Sequence, residues 1–131
     1  MAVAPHPLEE RIRVLVVDDE HLFVEMVEAM LAADPLIDVV ARAHNGREAV
    51  ERALELQPDL TLMDLAMPEV DGIQAIAEIR AANPDACILV LTGGNNPADI
   101  DEARKAGAAG YLTKDRIATE LIPAVRGLGR R

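Results

Sequence analysis

Side chains that can take part in phosphoryl chemistry follow four short apolar runs of this chain. They are two successive acids, a third acid, a hydroxyl and an amine: Asp18, Asp19, Asp64, Thr92 and Lys114. An acyl phosphate on an aspartate needs an ionised carboxylate, a divalent cation to offset negative charge, and fixed donors for the phosphoryl oxygens. Carboxylate oxygens suit Mg²⁺ as ligands. These residue types therefore allow a Mg²⁺-assisted transfer of a phosphoryl group to a carboxylate.

The third acid, Asp64, is the residue around which the chain is organised. It follows the apolar run 60–63, and a run that short between polar residues indicates a buried strand. Pro68 has no N–H to donate to a sheet, and Asp71-Gly72 is a turn signal that can also begin a helix. Open parallel sheets bind their ligands at the carboxyl ends of their strands. Asp64 is therefore predicted at such an end, and the other four side chains at the ends of other strands.

Each of these residues also has an ordinary structural interpretation. Asp64 is of a type that caps loops, and paired Asp18-Asp19 before a helix suits the helix dipole. Thr92 before two glycines is a common loop hydroxyl, and Lys114 is of a type that is mostly solvated. It is improbable that all of these residues are ordinary structural residues and yet follow the strands at the same edge of one sheet. The functional interpretation is therefore favoured.

Four motifs in a fixed order carry a family resemblance. They are residues 16–19 (Val-Val-Asp-Asp), 63–68 (Met-Asp-Leu-Ala-Met-Pro) with Asp71-Gly72, Leu91-Thr92, and 107–115 (Gly-Ala-Ala-Gly-Tyr-Leu-Thr-Lys-Asp). Over residues 12 to 128 the chain resembles a response-regulator receiver domain, the phosphoacceptor module of two-component signalling. The last motif is most similar to receivers of the NarL/LuxR type, which precede a helix-turn-helix output domain.

The resemblance implies a phosphoacceptor and a metal site. Asp64 would accept the phosphoryl group, and Asp19 and Asp64 would ligate Mg²⁺ (or Mn²⁺) directly. Asp18 would act mostly through water, and the backbone carbonyl of Ala66 would add a ligand. A cation is expected to relieve the repulsion among the clustered carboxylates.

The resemblance also implies roles for Thr92, Lys114 and Tyr111, whereas the sequence predicts no site role for His21. Thr92 and Lys114 would each donate to a phosphoryl oxygen. Tyr111 would be the switch aromatic whose rotamer follows Thr92, although a core aromatic with its hydroxyl at the surface is the alternative. His21 has no second histidine or cysteine nearby in the sequence, and it is predicted to be a surface residue at a helix start rather than a metal ligand.

The partners implied are a sensor histidine kinase and, on phosphorylation, a second copy of the chain. The predicted function is a phosphorylation switch, not an enzyme, that controls an output. Transcription through a helix-turn-helix domain in a longer chain is the expected output, and a stand-alone receiver acting by protein–protein interaction is the alternative.

Three other functions fit this sequence less well than that of a receiver. A phosphatase of the haloacid-dehalogenase type would need a second acid two residues after its nucleophile, where this chain has Ala66, and its nucleophile would lie on the first strand. A flavodoxin-like flavin carrier would need aromatic side chains, but aromatics are 2% of the chain. A degenerate receiver would be expected to lack some of the five site residues, which are all present.

Composition limits the location and the partners. The formal net charge is −10, which disfavours direct contact with nucleic acid and with anionic membranes. No apolar run reaches the roughly 18 residues of a membrane span, and residues 1–7 lack a signal-peptide core. Cys87 is the one cysteine and is predicted to be a small buried hydrophobe. The chain is expected in the cytoplasm.

Five strands that alternate with five helices predict an α/β fold with a parallel sheet covered on both faces. The resemblance supplies the strand order 2-1-3-4-5 of a flavodoxin-like, CheY-like three-layer sandwich. The predicted strands are 12–17, 39–43, 60–64, 86–91 and 110–112. The predicted helices are 20–33, 45–56, 73–83, 97–107 and one that ends near 128. An arm (1–10), the receiver (11–128) and a tail or linker (129–131) are the predicted units.

Pro123 conflicts with the apolar pattern of the last helix, because proline removes a backbone donor. Two explanations are open: the helix starts late, near Thr119, or it bends at the proline.

Overall fold

The apolar runs of the sequence form the five strands of one parallel sheet in this computed structural model, which describes residues 11–65, 67, 71–94 and 96–129. The order β2-β1-β3-β4-β5 confirms the predicted topology. The strands are β1 (Ile12–Val17), β2 (Ile37–Ala43), β3 (Leu60–Asp64), β4 (Ile88–Thr92) and β5 (Gly110–Thr113). The arm at 1–10 and the tail residues 130–131 lie outside the described residues.

Five helices connect and follow these strands, as the sequence predicted. They are α1 (His21–Ala32), α2 (Gly46–Leu56), α3 (Gly72–Ala82), α4 (Pro97–Ala106) and α5 (Ile117–Gly129). Asn45 caps α2 by accepting from the N–H of Glu48 at 2.8 Å. In the part of the chain that the structure describes, no helix combines the length and the apolar character needed to cross a membrane.

Two strand starts differ from the predicted ones because of backbone pairing. β2 begins at Ile37, two residues early, since Ile37 lies opposite Ile12 in the parallel ladder. β4 begins at Ile88, two residues late, because the N–H of Ala86 donates to the carbonyl of Asn83 and so closes a turn. Propensity alone does not reveal either bond, because both depend on where the chain folds back.

Of the two explanations left open for Pro123, a late start near Thr119 does not hold, because α5 begins at Ile117. A 3₁₀ turn at Lys114–Arg116 leads directly into α5 at Ile117, whose side chain is buried and anchors the first turn. Pro123 lies inside α5 with its ring exposed. The hydrogen bond that it cannot make would end on the carbonyl of Thr119, an exposed residue whose carbonyl water can satisfy.

Successive residues of each strand point to opposite faces of the sheet, and each face packs into its own hydrophobic core. Val14 and Val16 point to the face covered by α1 and α5, while Leu15 and Val17 point to the face covered by α2, α3 and α4. The first core is built from large side chains, such as Leu31 and Leu121. The second receives mainly alanines from α2 and α4, so those two helices bury little apolar surface.

Cys87 lies just before β4 and is half-buried against the first core, close to the small buried hydrophobe that was predicted. Burial raises the pKa of its thiol, and the nearby Arg80 guanidinium lowers that pKa by less. The thiolate fraction at neutral pH is therefore small, which makes this cysteine a poor nucleophile.

The start of α3 fits tightly against the end of β3. Asp71 caps α3 by accepting from the N–H of Gln74 at 2.8 Å, and the N–H of Gly72 donates to the carbonyl of Leu65 at 3.0 Å. A Cβ on Gly72 would collide with the carbonyl oxygen of Asp64 and would lie 2.6 Å from the Cα of Leu65. Glycine is therefore required here by close backbone approach, and this approach fixes the peptide that follows Asp64.

Replacement of Gly72 by alanine should therefore destabilise the protein. We expect Gly72→Ala to lower the free energy of unfolding in urea by about 1–3 kcal/mol, the usual cost of overpacking. Gly127→Ala is the matched control, since a Cβ there meets nothing within 4 Å inside a helix, and it should be neutral or stabilise by up to about 1 kcal/mol. Equal stability of the two variants would contradict the proposed close approach.

Candidate functional site

Three carboxylates meet at the carboxyl edge of the sheet. β1 and β3 are neighbours in which Val17 pairs with Met63, so Asp18 and Asp64 each stand one residue beyond a matched pair. One oxygen from each of Asp18, Asp19 and Asp64 lies within 4.8 Å of the other two. Asp18 and Asp64 are 1% and 7% exposed, whereas Asp19 is open to solvent. The structure thus brings together the three acids that the sequence placed at strand ends.

Lys114 supplies positive charge to this acid cluster. Its side chain extends from the 3₁₀ turn after β5, and Nζ lies 2.8 Å from Oδ2 of Asp18 and 3.7 Å from Oδ1 of Asp64. The same ammonium stands 4.1 Å from the centroid of the ring of Phe23, a residue of α1. Two carboxylates and an aromatic face therefore fix the position of the ammonium.

The pKa of Lys114 reflects competing effects. Burial lowers it, but the hydrogen bond to Asp18 and the charges of Asp64, Asp18 and Glu20 outweigh burial, so the pKa lies above its ordinary value. A pKa raised in the folded state means that this contribution to stability is complete at neutral pH and is lost only as the pH rises through the folded pKa. Lys114 is therefore a permanent cation at physiological pH.

The acid cluster fits a hard divalent cation. Its donors are all carboxylate oxygens, and they include no sulfur or imidazole, which is the donor chemistry that Mg²⁺ and Mn²⁺ take. Asp19 is the solvent-exposed member of the cluster. Ala66, the predicted source of a carbonyl ligand, lies outside the described residues.

Thr92 reaches the same edge of the sheet, but its hydroxyl is engaged with its own loop. Asp64 pairs with Leu91 across β3 and β4, so Thr92 stands one residue beyond the pair. Its hydroxyl donates to the carbonyl of Gly94 at 2.8 Å and accepts from the Gly94 N–H at 3.3 Å. Thr92 is thus placed beside the cluster while its hydroxyl bonds elsewhere.

Tyr111 is not a core aromatic, since its side chain is 45% exposed. It lines a groove with Pro97, Ile100 and Arg104 of α4, so the ring lies on the surface between β5 and that helix. Its role as a switch residue stays a prediction.

Two contacts around the cluster were missed by sequence reasoning. His21 is exposed at the start of α1, as predicted, but its ring stacks on that of His44 with centroids 3.9 Å apart and planes inclined by 21°. Phe23 forms the aromatic face under Lys114. Both contacts join residues far apart in the sequence, and no local pattern signals them.

Comparison with known proteins identifies related sequences and structures. Residues 14–126 match the family model described as the response regulator receiver domain. The transcriptional regulatory protein DegU of Brevibacillus brevis is 38% identical over 118 residues, which are 90% of this chain and 50% of that protein. A protein-glutamate methylesterase/protein-glutamine glutaminase of Shewanella frigidimarina is 42% identical over 131 residues, which are 92% of this chain and 33% of that protein.

A solved structure agrees with the fold. The signal receiver domain of the response regulator NarL from Mycobacterium tuberculosis superposes with a TM-score of 0.87 at 36% identity, covering 92% of this chain and 97% of that one. Against the two full-length relatives the chain spans half of one and a third of the other. The likeness is therefore to one domain of those longer proteins.

The contact between Phe23 and Lys114 can be measured by a double-mutant cycle. Phe23→Leu and Lys114→Met, made singly and together, should give a coupling free energy of about 0.5–2 kcal/mol in chemical unfolding, as expected for a partly desolvated cation–π pair. The control cycle replaces Phe23→Leu by Leu22→Ala, because Leu22 is 81% exposed. It should show no coupling, and a Phe23 coupling that is equally small would contradict the contact.

Proposed function

Because the chain belongs to the family of response-regulator receiver domains of two-component systems, we propose that Asp64 accepts a phosphoryl group from a phosphohistidine of a sensor kinase. A carboxylate oxygen of Asp64 attacks phosphorus, the P–O bond forms, and the P–N bond to the donor imidazole breaks with its electron pair returning to nitrogen. The observation that carries the proposal is the gathering of three carboxylates and one ammonium at one edge of the sheet.

The hydrogen bonds of Asp18 argue against that residue as the acceptor. Oδ1 of Asp18 accepts from the N–H of Glu20 at 2.9 Å, and Oδ2 accepts from Lys114 at 2.8 Å. Both oxygens of Asp18 thus have lone pairs engaged in strong hydrogen bonds, which reduces their nucleophilicity. Asp64 ends β3, the middle strand of the sheet, with Lys114 at the longer distance of 3.7 Å.

The remaining residues have roles that follow from their positions. Asp19 and Asp64 would hold Mg²⁺ directly and Asp18 would do so mostly through water, with Ala66 proposed as a backbone ligand. The cation, when bound, offsets the negative charge of donor and acceptor. Lys114 would turn from Asp18 toward a phosphoryl oxygen, a short movement because its ammonium already lies between the two acids.

A conformational response is proposed for Thr92 and the helix that follows it. To donate to a phosphoryl oxygen, the Thr92 hydroxyl must give up its bond to Gly94. A Cβ at Gly93 or Gly94 would meet nothing within 4 Å, so this loop has room to move. α4 has only one buried residue, Ala103, and its displacement therefore costs little buried apolar area. The side chain of Tyr111, in the groove beside α4, would change its rotamer as Thr92 and α4 move.

The output proposed is transcriptional control by a helix-turn-helix domain outside this chain. DegU and NarL are named as regulators of that kind, while the Shewanella relative is named as a methylesterase. These relatives do not favour the alternative, a stand-alone receiver that acts by protein–protein interaction. The receiver itself is a signalling domain rather than an enzyme. Homodimer formation on phosphorylation and a location in the cytoplasm belong to the same proposal.

Asp64→Asn tests the acceptor. The variant should take up no phosphoryl group from acetyl phosphate with Mg²⁺, because an amide oxygen is a far weaker nucleophile, while the wild type gains the mass of one phosphoryl group. Intact mass spectrometry measures this. Asp99→Asn is the control, an exposed acid on α4 that should leave uptake unchanged. Undiminished uptake by the Asp64 variant would reject the assignment.

Beryllofluoride with Mg²⁺ tests the switch. We expect backbone amide shifts to change at 92–94 and 110–113 and along α4, because Thr92 exchanges Gly94 for the bound group. The last turn of α2 serves as the internal reference and should stay unchanged, since it is distant in sequence from that loop and from the contact of His44 with Asp18. Shifts limited to the immediate neighbours of Asp64 would show that the Thr92 loop does not respond.

A further inference from the structure

The backbone of Asp18 is tied on both sides to the junction between β2 and α2. Its N–H donates to the carbonyl of Ala43 at 3.1 Å, which continues the parallel ladder. Its carbonyl oxygen lies 3.2 Å from Nδ1 of His44, the residue that follows β2. Both polar groups of the Asp18 backbone are therefore held by two consecutive residues of a neighbouring segment.

The chemistry of this second contact fixes the tautomer of His44. A carbonyl oxygen can only accept, so the Nδ1 atom that faces it carries the proton and donates. His44 itself is held in place, because its backbone N–H donates to Oε1 of Glu48 at 2.8 Å, within the capping arrangement that begins α2. The ring is covered by the stacked ring of His21, 3.9 Å away between centroids.

Asp19 is the acid that most needs this support. Asp18 is held by Lys114 and by the N–H of Glu20, and Asp64 lies within reach of Lys114. Among the described residues no hydrogen bond or ion pair holds the Asp19 carboxylate, which is exposed. Its place in the acid cluster is thus set by its backbone, and that backbone begins with the peptide plane that contains the Asp18 carbonyl.

We propose that His44 is a positioning residue for cation binding: its Nδ1–H fixes the 18–19 peptide plane and so presents Asp19 to the cation, while His21 holds the His44 ring by stacking. The inference rests on the proposed function, since it assigns the residues that prepare the same cation site. His44 acts through the backbone and touches neither cation nor phosphoryl group. The residue therefore sets cation affinity without belonging to the ligands.

Mn²⁺ is a suitable probe, because its electron paramagnetic resonance signal reports the free ion. We expect His44→Ala to weaken Mn²⁺ binding by about 10-fold, the lower end of the effect of losing a residue that orients a metal ligand. His44→Asn should recover most of the loss, since its side-chain N–H can reach the same carbonyl. His21→Ala should give a smaller loss. Arg47→Ala, an exposed neighbour on α2, is the matched control and should bind as the wild type does.

Two further measurements separate positioning from a general effect on the fold. Urea unfolding of each variant without metal shows whether affinity falls with stability, and an affinity loss in His44→Ala that merely tracks lost stability, or that His44→Asn does not recover, overturns the proposal. Imidazole ¹⁵N shifts of the wild type should show His44 protonated at Nδ1, and the opposite neutral tautomer overturns it as well.

The two levels of the proposal fail in different ways. If the wild type binds Mn²⁺ and His44→Ala binds it equally well, the positioning role is overturned while the proposed phosphoacceptor function stands. If the wild type itself binds neither Mn²⁺ nor Mg²⁺ in competition, the proposed function is overturned, and the role of His44 with it.

Discussion

Repulsion among three carboxylates at one sheet edge is the constraint on which the rest of this structure depends. Their oxygens lie within 4.8 Å of one another, and two of the three acids are nearly inaccessible to water. The Lys114 ammonium lies 2.8 Å from Asp18 and 3.7 Å from Asp64. A divalent cation held by these carboxylates would relieve their repulsion, and its binding would stabilise the folded state.

The fold holds this unfavourable arrangement through its backbone rather than through many side-chain partners. Gly72 lets α3 approach the peptide after Asp64 so closely that a Cβ has no room. On the other side, Ala43 and His44 bond the N–H and the carbonyl of Asp18. Backbone contacts of this kind leave carboxylate oxygens available for a cation, whereas additional side-chain donors would compete with it.

The helices are not equally well anchored: α1 and α5 bury large side chains, whereas α4 buries very little. α1 and α5 bury large side chains in the first core, and Arg126 of α5 binds the buried Asp34 through two hydrogen bonds. α4 contributes a single buried alanine and follows a loop with two glycines. Displacing α4 in response to a change at Thr92 therefore costs less free energy than displacing α5 would.

The sequence by itself determined the five strands, the five helices and the strand-end positions of Asp18, Asp19, Asp64, Thr92 and Lys114, because apolar periodicity and turn residues act locally. Only the tertiary structure decided which groups touch. Lys114 meets Phe23 across 91 positions of sequence, His44 meets Asp18 across 26, and Thr92 bonds to Gly94 instead of facing the acids. The strand starts at Ile37 and Ile88 and the helix start at Ile117 were likewise set by pairing and burial. Such contacts depend on the distances between elements once they are packed, and no local pattern of residues records those distances.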